Sequence, residues 1–361
     1  MIPGARSGSA TRPTFRDRAT MPPMLLRRAL AAGLASLVWL GLFTGRVLAH
    51  GPVPADPPSV ANLLFGWSFE PAIVLPLVAA ALVWVAWVRR VNAAHPSTPV
   101  AGRRTVFFLA GLAAIAVALQ SGIERYDTSL FSIHMVQHLL LTLVAAPLLA
   151  LSAPVTLALR VATPRVRQRV ILPILHSRVL RAVSHPVVAW LLFAGVMWGT
   201  HFSPLFDLSL ENRFVHDLEH ALYLGTALLF WWPAVGLDPS PWRLPHPARV
   251  LYVFLQMPQN TFLAVVILNA TAPLYPHYAT LVRSWGPSAL VDQQAAGAVM
   301  WLGGDLLFIG AIGAILAGWM RFEERGTRGA DRREEAERAA IRERETRLAE
   351  RLARERDEAR G

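Results

Sequence analysis

Four histidines occur as two copies of one spacing, and this repeat is the part of the sequence best suited to chemistry. One copy reads His134-Met-Val-Gln-His138 and the other reads His216-Asp-Leu-Glu-His220. Residues i and i+4 share a helix face, so each copy would present two imidazoles together. Imidazole nitrogens are good ligands for transition metals. The repeat therefore predicts a metal site rather than unrelated structural histidines.

The composition indicates that these histidines belong to a membrane protein. Of the 361 residues, 54% are hydrophobic, and apolar runs of about 20 residues, enough to cross a bilayer, recur along the chain. The net charge of +11 could indicate nucleic-acid binding. The arginines, however, lie in short loops between apolar runs, as in membrane proteins, so no nucleic-acid partner is expected. The absence of cysteine excludes disulfides and thiolate ligands.

Seven apolar segments predict an all-α, polytopic membrane helix bundle of about seven transmembrane helices across residues 71–320. They lie near residues 71–88, 105–122, 132–157, 186–202, 214–235, 250–270 and 293–320. The loops at one end carry twelve arginines and the loops at the histidine-bearing end carry three. Because cytoplasmic loops are enriched in basic residues, the histidine-bearing end is expected outside and the carboxyl terminus inside.

The two ends of the chain differ from the bundle. A basic pair, an apolar run and Val47-Leu48-Ala49 predict a signal peptide within residues 1–49, and an uncleaved first span is the alternative. Cleavage would leave residues 50–70 as an extracytoplasmic segment. It would also make His50 the first residue, whose α-amine and imidazole could chelate Cu(II). Residues 321–361 are dense in Arg and Glu, which predicts a charged cytoplasmic helix.

Other potential ligands fall at the same expected depth as the paired histidines. His201 ends the fourth span and His277 precedes the seventh. Asp217 and Glu219 lie inside the second histidine motif, and Met300 in the last span offers a thioether to Cu(I). The predicted metal ligands are therefore His134, His138, His216 and His220, with His50, His201, His277, Glu219, Asp217 and Met300 as further candidates.

Polar residues also fall within the last two spans. Asp305 is expected near the middle of the membrane, where a carboxylate needs a partner or a proton. Gln256 and Asn260 flank Pro258, which predicts a kink lined with polar groups. These residues could begin a polar path inward.

Several motifs together match the pattern of a known family. They are the Ala-His-Gly of residues 49–51, the two histidine motifs with Ala146-Pro147 and Trp232-Pro233 after them, Leu274-Tyr275-Pro276-His277-Tyr278, and Asp292-Gln293-Gln294 with Met300-Trp301. Over roughly residues 50–320 the chain resembles the multi-spanning CtaG-type family of cytochrome c oxidase assembly proteins. The resemblance implies a non-enzymatic metallochaperone in the bacterial plasma membrane. It further implies that the protein supports caa-type oxidase formation by delivering copper to the oxidase subunits.

Three other functions remain open on the residues alone. A copper transporter would use the polar path through the last spans. A haem b-binding electron-transfer protein would use one histidine from each of two helices. A membrane zinc protease would use His216, Glu219 and His220, which match the H-x-x-E-H pattern with Glu as general base. The sequence does not determine the oligomeric state.

Overall fold

A computed structural model of the protein describes residues 53–358. The predicted signal peptide and His50 lie outside the described residues. Within them the chain is helical and contains no β-strand. The all-α, polytopic membrane bundle predicted from the sequence is therefore confirmed.

The helices follow the predicted apolar segments closely. The first half of the bundle contains α1 (Val60–Phe65), α2 (Pro71–Ala94), α3 (Gly102–Gln120), α4 (Gly122–Tyr126), α5 (Phe131–Leu139), α6 (Ala146–Ser152), α7 (Pro154–Val161), α8 (Pro164–Val166), α9 (Leu172–Leu175) and α10 (Arg178–Val183). The second half contains α11 (Pro186–His201), α12 (Leu205–Glu211), α13 (Arg213–Val235), α14 (His246–Phe254), α15 (Gln256–Leu268), α16 (Pro276–Thr280), α17 (Ala289–Ala298) and α18 (Gly304–Glu358).

Length and composition identify five membrane-spanning candidates among the described residues, and a sixth if α11 and α12 count as one span bent by 71°. The five are Pro71–Ala94, Gly102–Tyr126, Phe131–Val161, His246–Leu268 and Ala289–Arg328. The fifth predicted segment, near residues 214–235, forms α13, whose 23 residues are long enough, at about 34 Å, to cross a bilayer core. Its histidines and Glu219 make it less apolar than the other candidates.

The helix that begins at Phe131 is irregular beyond its first two turns. A π-helical turn (Leu140–Ala145) separates α5 from α6, and it is followed closely by Pro147, which donates no backbone hydrogen bond. Ala153 then adopts a left-handed conformation with φ of 55° between α6 and α7. The Thr142 hydroxyl donates to the His138 carbonyl inside the π-helical turn, at 2.7 Å. This irregular stretch follows directly on the His134 and His138 pair.

The core of the bundle lies between the helices that carry the histidines and their neighbours. Helix α13 packs against α11 and α6, while α17 packs against α5 and α15. Large buried side chains such as Phe131, Phe206 and Phe230 fill the space between these helices. Helix α2 lies outside this group, and Trp84 and Val91 are its only buried side chains. The histidine motifs therefore lie on helices that contribute to this core.

The last helix runs without a break from the apolar span into the charged tail. Helix α18 extends from Gly304 to Glu358, whereas the sequence suggested a boundary at residue 321. Glu-to-Arg pairs one turn apart, such as Glu334 with Arg338 and Glu343 with Arg347, hold the exposed part in helical form. The tail is helical as expected, and it continues the preceding span.

Asp305, near the start of α18, has partners on the neighbouring helix. The Thr261 hydroxyl donates to its carboxylate at 2.8 Å, and Asn260 Nδ2 lies 3.4 Å away. Both residues belong to α15, whose first turn follows the break at Leu255. Thr261 and Asn260 of α15 thus supply the hydrogen-bond partners that the Asp305 carboxylate needs inside the bundle.

Asp292 caps the helix that carries His134 and His138. It accepts hydrogen bonds from the Phe131 backbone N–H at 2.6 Å and the Ser132 hydroxyl at 2.5 Å. The residue at the cap position of α5 is Leu130, which cannot accept such bonds. A carboxylate from α17 therefore takes the role that a local Ser or Asp has in most helices.

We expect Asp292→Ala to lower the free energy of unfolding by about 1–2 kcal/mol, the usual cost of losing a cap. Asp292→Asn should retain part of this stability, because its amide oxygen still accepts. Thermal unfolding of the purified protein in detergent measures both, with the exposed Glu211→Ala as control. An Asp292→Ala midpoint equal to that of the control would refute the capping role.

Candidate metal centre

The two histidine motifs meet inside the bundle. Helix α5 carries His134 and His138 with ring centroids 4.2 Å apart, and α13 carries His216 and His220 with centroids 4.1 Å apart. Across the interface, both the His134–His216 and the His138–His220 centroids are 5.7 Å apart. All four side chains are buried, none being more than 4% exposed. We call these four residues the histidine cluster.

Potential ligand atoms in and around the histidine cluster lie close enough to share an ion. Three groups of residues each offer ligand atoms within 4.8 Å of one another. They are His134 with His216 and His220, His134 with His138 and Glu219, and Glu124 with Asp127 and His216. Nitrogen atoms that bind a tetrahedral ion at about 2.0–2.1 Å lie about 3.3 Å from one another. Small side-chain rotations would therefore bring the ligand atoms of each group within bonding distance of a shared ion.

His138 carries the clearest signature of a ligand. Its side chain is 2% exposed, and neither ring nitrogen has a hydrogen-bond partner within residues 53–358. A buried polar group without a partner costs about 1–3 kcal/mol, so native proteins rarely retain one without a reason. A metal ion bound through one ring nitrogen would supply that reason. The donor chemistry of the cluster thus fits a transition metal.

His201 lies at the edge of the histidine cluster, with its ring 6.2 Å from that of His138. Its Nδ1 is 2.8 Å from the Met197 carbonyl oxygen, which can only accept, so Nδ1 carries the hydrogen. The buried Nε2 therefore bears the lone pair, and it has no partner among the described residues. Tyr223 contacts Thr200 and lies 3.2 Å from His201 Nδ1. These contacts fix the ring with its ligand nitrogen available.

Two sequence candidates lie outside the three ligand groups. His277 Nε2 donates to the Thr128 carbonyl at 2.9 Å, and its backbone N–H donates to Asp207. Asp217 is half exposed and lies 3.8 Å from Arg213. His277 thus joins α16 to α12 and to the loop that precedes α5, and the half-exposed Asp217 lies beside Arg213.

Met300 also lies apart from the ligand groups, and His50 is outside the described residues. Met300 is buried, and its carbonyl accepts from Asn260 Nδ2 at 2.9 Å. It lines a small cavity together with Met197 and Gln256. Of the ten sequence candidates, the structure brings six together at or beside the histidine cluster. They are His134, His138, His216, His220, His201 and Glu219.

Sequence reasoning missed the carboxylates nearest to His216. Glu124 and Asp127 lie on and just after the short helix α4, and both are buried. Asp127 Oδ2 is 3.3 Å from His216 Nε2. Gln137, on α5, donates to Glu124 at 2.6 Å. One sequence signal existed: two acidic residues three apart, directly after an apolar span, at the end that carries the histidines.

Comparison with known proteins identifies related sequences. The sequence model of a family described as cytochrome c oxidase caa3 assembly factor (Caa3_CtaG) matches residues 81–322. Uncharacterized proteins of Mycobacterium bovis and Mycobacterium tuberculosis are each 31% identical over 284 residues, or 77% of this chain and 43% of theirs. One of Mycobacterium leprae is 31% identical over 278 residues, or 75% and 42%. The chain therefore spans less than half the length of these curated relatives. No solved structure matches.

We expect Gln137→Glu to destabilise the protein, because it replaces a donor to Glu124 with a second carboxylate at the same place. Leaving a buried polar group without its hydrogen-bond partner costs about 1–3 kcal/mol. Thermal unfolding of the metal-stripped protein in detergent should show a lower midpoint. Gln168→Glu, the same change at an exposed position, is the control. Equal midpoints for the two variants would mean that the Gln137–Glu124 bond contributes nothing to stability.

Proposed function

The chain belongs to the caa3 cytochrome c oxidase assembly factor family, as its motifs suggested, and we propose that it binds copper at the histidine cluster and supports metallation of the oxidase. The observation that carries the proposal is the convergence of four buried imidazoles from two helices at one end of a membrane bundle. In this role the protein is a metallochaperone, and copper is its cargo.

The donor set supports copper among the transition metals. Imidazole binds both Cu(I) and Cu(II). Among the first-row divalent metals, Cu(II) is the one that nitrogen ligands bind most tightly. His134 belongs to both of the ligand groups that contain two or more histidines of the cluster, so it is the central copper ligand, with His138 and His220 beside it. His201 offers a further nitrogen 6.2 Å away by ring centroids. A carrier that must release its metal gains from such a neighbouring ligand, because the ion can change partners stepwise.

The alternative cofactor chemistries have less support from the geometry. A haem needs two opposed ligands with a flat macrocycle between them. Imidazoles with centroids 4.1–6.3 Å apart enclose a volume that suits a small ion. A protease needs its general base and a water molecule to reach a peptide bond. Glu219 is 4% exposed and belongs to a group with His134 and His138, which favours a ligand or orienting role.

We expect the double variant His138→Ala/His220→Ala to lower copper affinity at least tenfold, because it removes one ligand from each helix. Copper bound by the purified protein, measured by elemental analysis and by competition with a chelator, tests this. His95→Ala/His176→Ala, at exposed positions on the opposite end of the bundle, is the matched control. Thermal unfolding would verify that both variants are folded.

The same variants connect copper binding to oxidase formation. Cells that carry His138→Ala/His220→Ala should show lower copper-dependent oxidase activity at limiting copper, and added copper should restore part of it. The His95→Ala/His176→Ala control should behave as wild type. Equal copper binding by the wild type and the cluster variant would overturn the proposed site. Unchanged oxidase activity would overturn the proposed role.

A copper transporter is the second candidate, because a small cavity adjoins the histidine cluster. Thr142, one turn beyond His138, and Met197, one turn before His201, line it with Gln256 and Asn260. Asn260 in turn approaches Asp305. Thioether, amide and carboxylate groups thus continue from the cluster toward the middle of the bundle.

Uptake of copper into proteoliposomes distinguishes transport from chaperoning. An assembly factor should leave the rate of copper entry at that of protein-free liposomes. A transporter should raise the rate, and Asp305→Asn or Asn260→Leu should then reduce it several-fold. We expect no copper entry above the protein-free rate. Entry that depends on Asp305 would replace the chaperone proposal with transport.

A further inference from the structure

The geometry points to a second metal-binding site, formed by Glu124, Asp127 and His216, that takes a divalent cation beside the copper of the histidine cluster. This inference extends the proposed function, because it makes the centre a two-metal site. We call Glu124, Asp127 and His216 the carboxylate site. Its ligand atoms lie within 4.8 Å of one another, and all three residues are buried.

The two sites adjoin without needing the same ligands. His216 belongs both to a group with His134 and His220 and to the carboxylate site. When His216 serves the carboxylate site, His134, His138, His220 and Glu219 remain for the first ion. His134–His216 centroids are 5.7 Å apart, so the two ions would be near neighbours. The arrangement gives each ion at least three protein ligands.

Charge favours a divalent cation at the carboxylate site. When ionised, the two carboxylates carry a formal charge of −2, of which His216, 3.3 Å from Asp127, can offset only part, and burying such charges costs several kcal/mol per ion unless they are compensated. Within residues 53–358 Glu124 forms no ion pair, and its hydrogen-bond partner is the neutral amide of Gln137. A divalent cation would neutralise the pair. A monovalent Cu(I) would leave a net negative charge and would meet no soft donor.

The surroundings of Gln137 supply a separate indication of a bound ligand. Its side chain is fully buried, and its Nε2 donates both to Glu124 and to the Ala118 carbonyl. Its Oε1 has no hydrogen-bond partner among the described residues. An oxygen without a donor, on the same amide that holds Glu124, fits a site that binds a cation or its coordinated water.

The backbone that carries the two carboxylates is held from several sides. Ser121 caps α4, and the Tyr126 hydroxyl donates to the Asp56 carbonyl at 3.0 Å. The Tyr278 hydroxyl donates to the Asp127 carbonyl at 2.7 Å. His277 donates to the next carbonyl, that of Thr128. Ligands fixed in this way need little reordering when a cation binds, which favours affinity.

Mixed-metal loading of the full-length protein in detergent tests the inference. The metal-stripped protein is first saturated with Cu(I) under anaerobic, reducing conditions, then given Zn(II) as the divalent probe, and both metals are counted after desalting. Wild type should retain about one zinc ion per chain in addition to copper. Glu124→Gln/Asp127→Asn should bind zinc at least tenfold more weakly while keeping its copper. Retained copper also shows that this variant is folded.

Two controls separate the carboxylate site from surface binding and from the histidine cluster. Asp56→Asn/Glu211→Gln removes the same two charges from exposed positions and should keep both metals. His138→Ala/His220→Ala should lose copper and keep zinc. Zinc absent from the copper-loaded wild type, or zinc retained by Glu124→Gln/Asp127→Asn, would overturn the second site.

The outcomes also distinguish this inference from the proposed function. If the protein binds copper through His138 and His220 but binds no zinc, the copper site stands and the carboxylate site is overturned. If it binds zinc through Glu124 and Asp127 but binds no copper, the carboxylate site stands and the copper site is overturned. Loss of copper in Glu124→Gln/Asp127→Asn, with no zinc bound by the wild type, would assign these carboxylates to orienting His216 and would overturn the second site.

Discussion

A buried imidazole or carboxylate in a membrane bundle is costly unless it meets a partner, and this constraint organises one whole end of the molecule. The contact between His216 and Asp127, at 3.3 Å with both side chains fully buried, is its central instance. It joins α13 to the short connection between α4 and α5. This connection leads directly into the helix that carries His134, so the contact ties one histidine motif to the chain just before the other.

The supports of the site come from helices other than those that carry it. Asp292 of α17 caps α5, and Tyr278 of α16 binds the backbone at Asp127. Tyr223 packs its ring against His138, with centroids 4.3 Å apart, and contacts Thr200 of α11. Helix α5, the backbone at Asp127 and the His138 ring are therefore held by contacts that reach across the bundle. Such contacts fix the orientation of the buried side chains, as the supports of a metal site would, and they distribute the cost of burial over several hydrogen bonds.

The sequence predicted those features of the histidine cluster that follow from helical periodicity. Spacing of four placed His134 beside His138 and His216 beside His220, and apolar run length predicted the helices on which they lie. Spacing also favours Glu219 over Asp217, because Glu219 shares a helix face with His216 and His220. The structure places Glu219 in a ligand group and leaves Asp217 half exposed. Tertiary proximity decided the rest. Glu124 lies on a five-residue helix and Asp127 directly follows it, and a helix this short shows no periodicity that would place either side chain beside His216.

Helix α18 joins the last membrane span rigidly to the charged tail. Residues 321–358 continue the last span as one rod, and they project about 57 Å at 1.5 Å per residue. A tilt of the span by about 10° would carry the far end of that rod through about 10 Å. The same helix begins where Asp305 meets α15, close to the buried polar residues. A change of packing deep in the bundle that tilted α18 would therefore produce a much larger displacement at the far end of its charged segment.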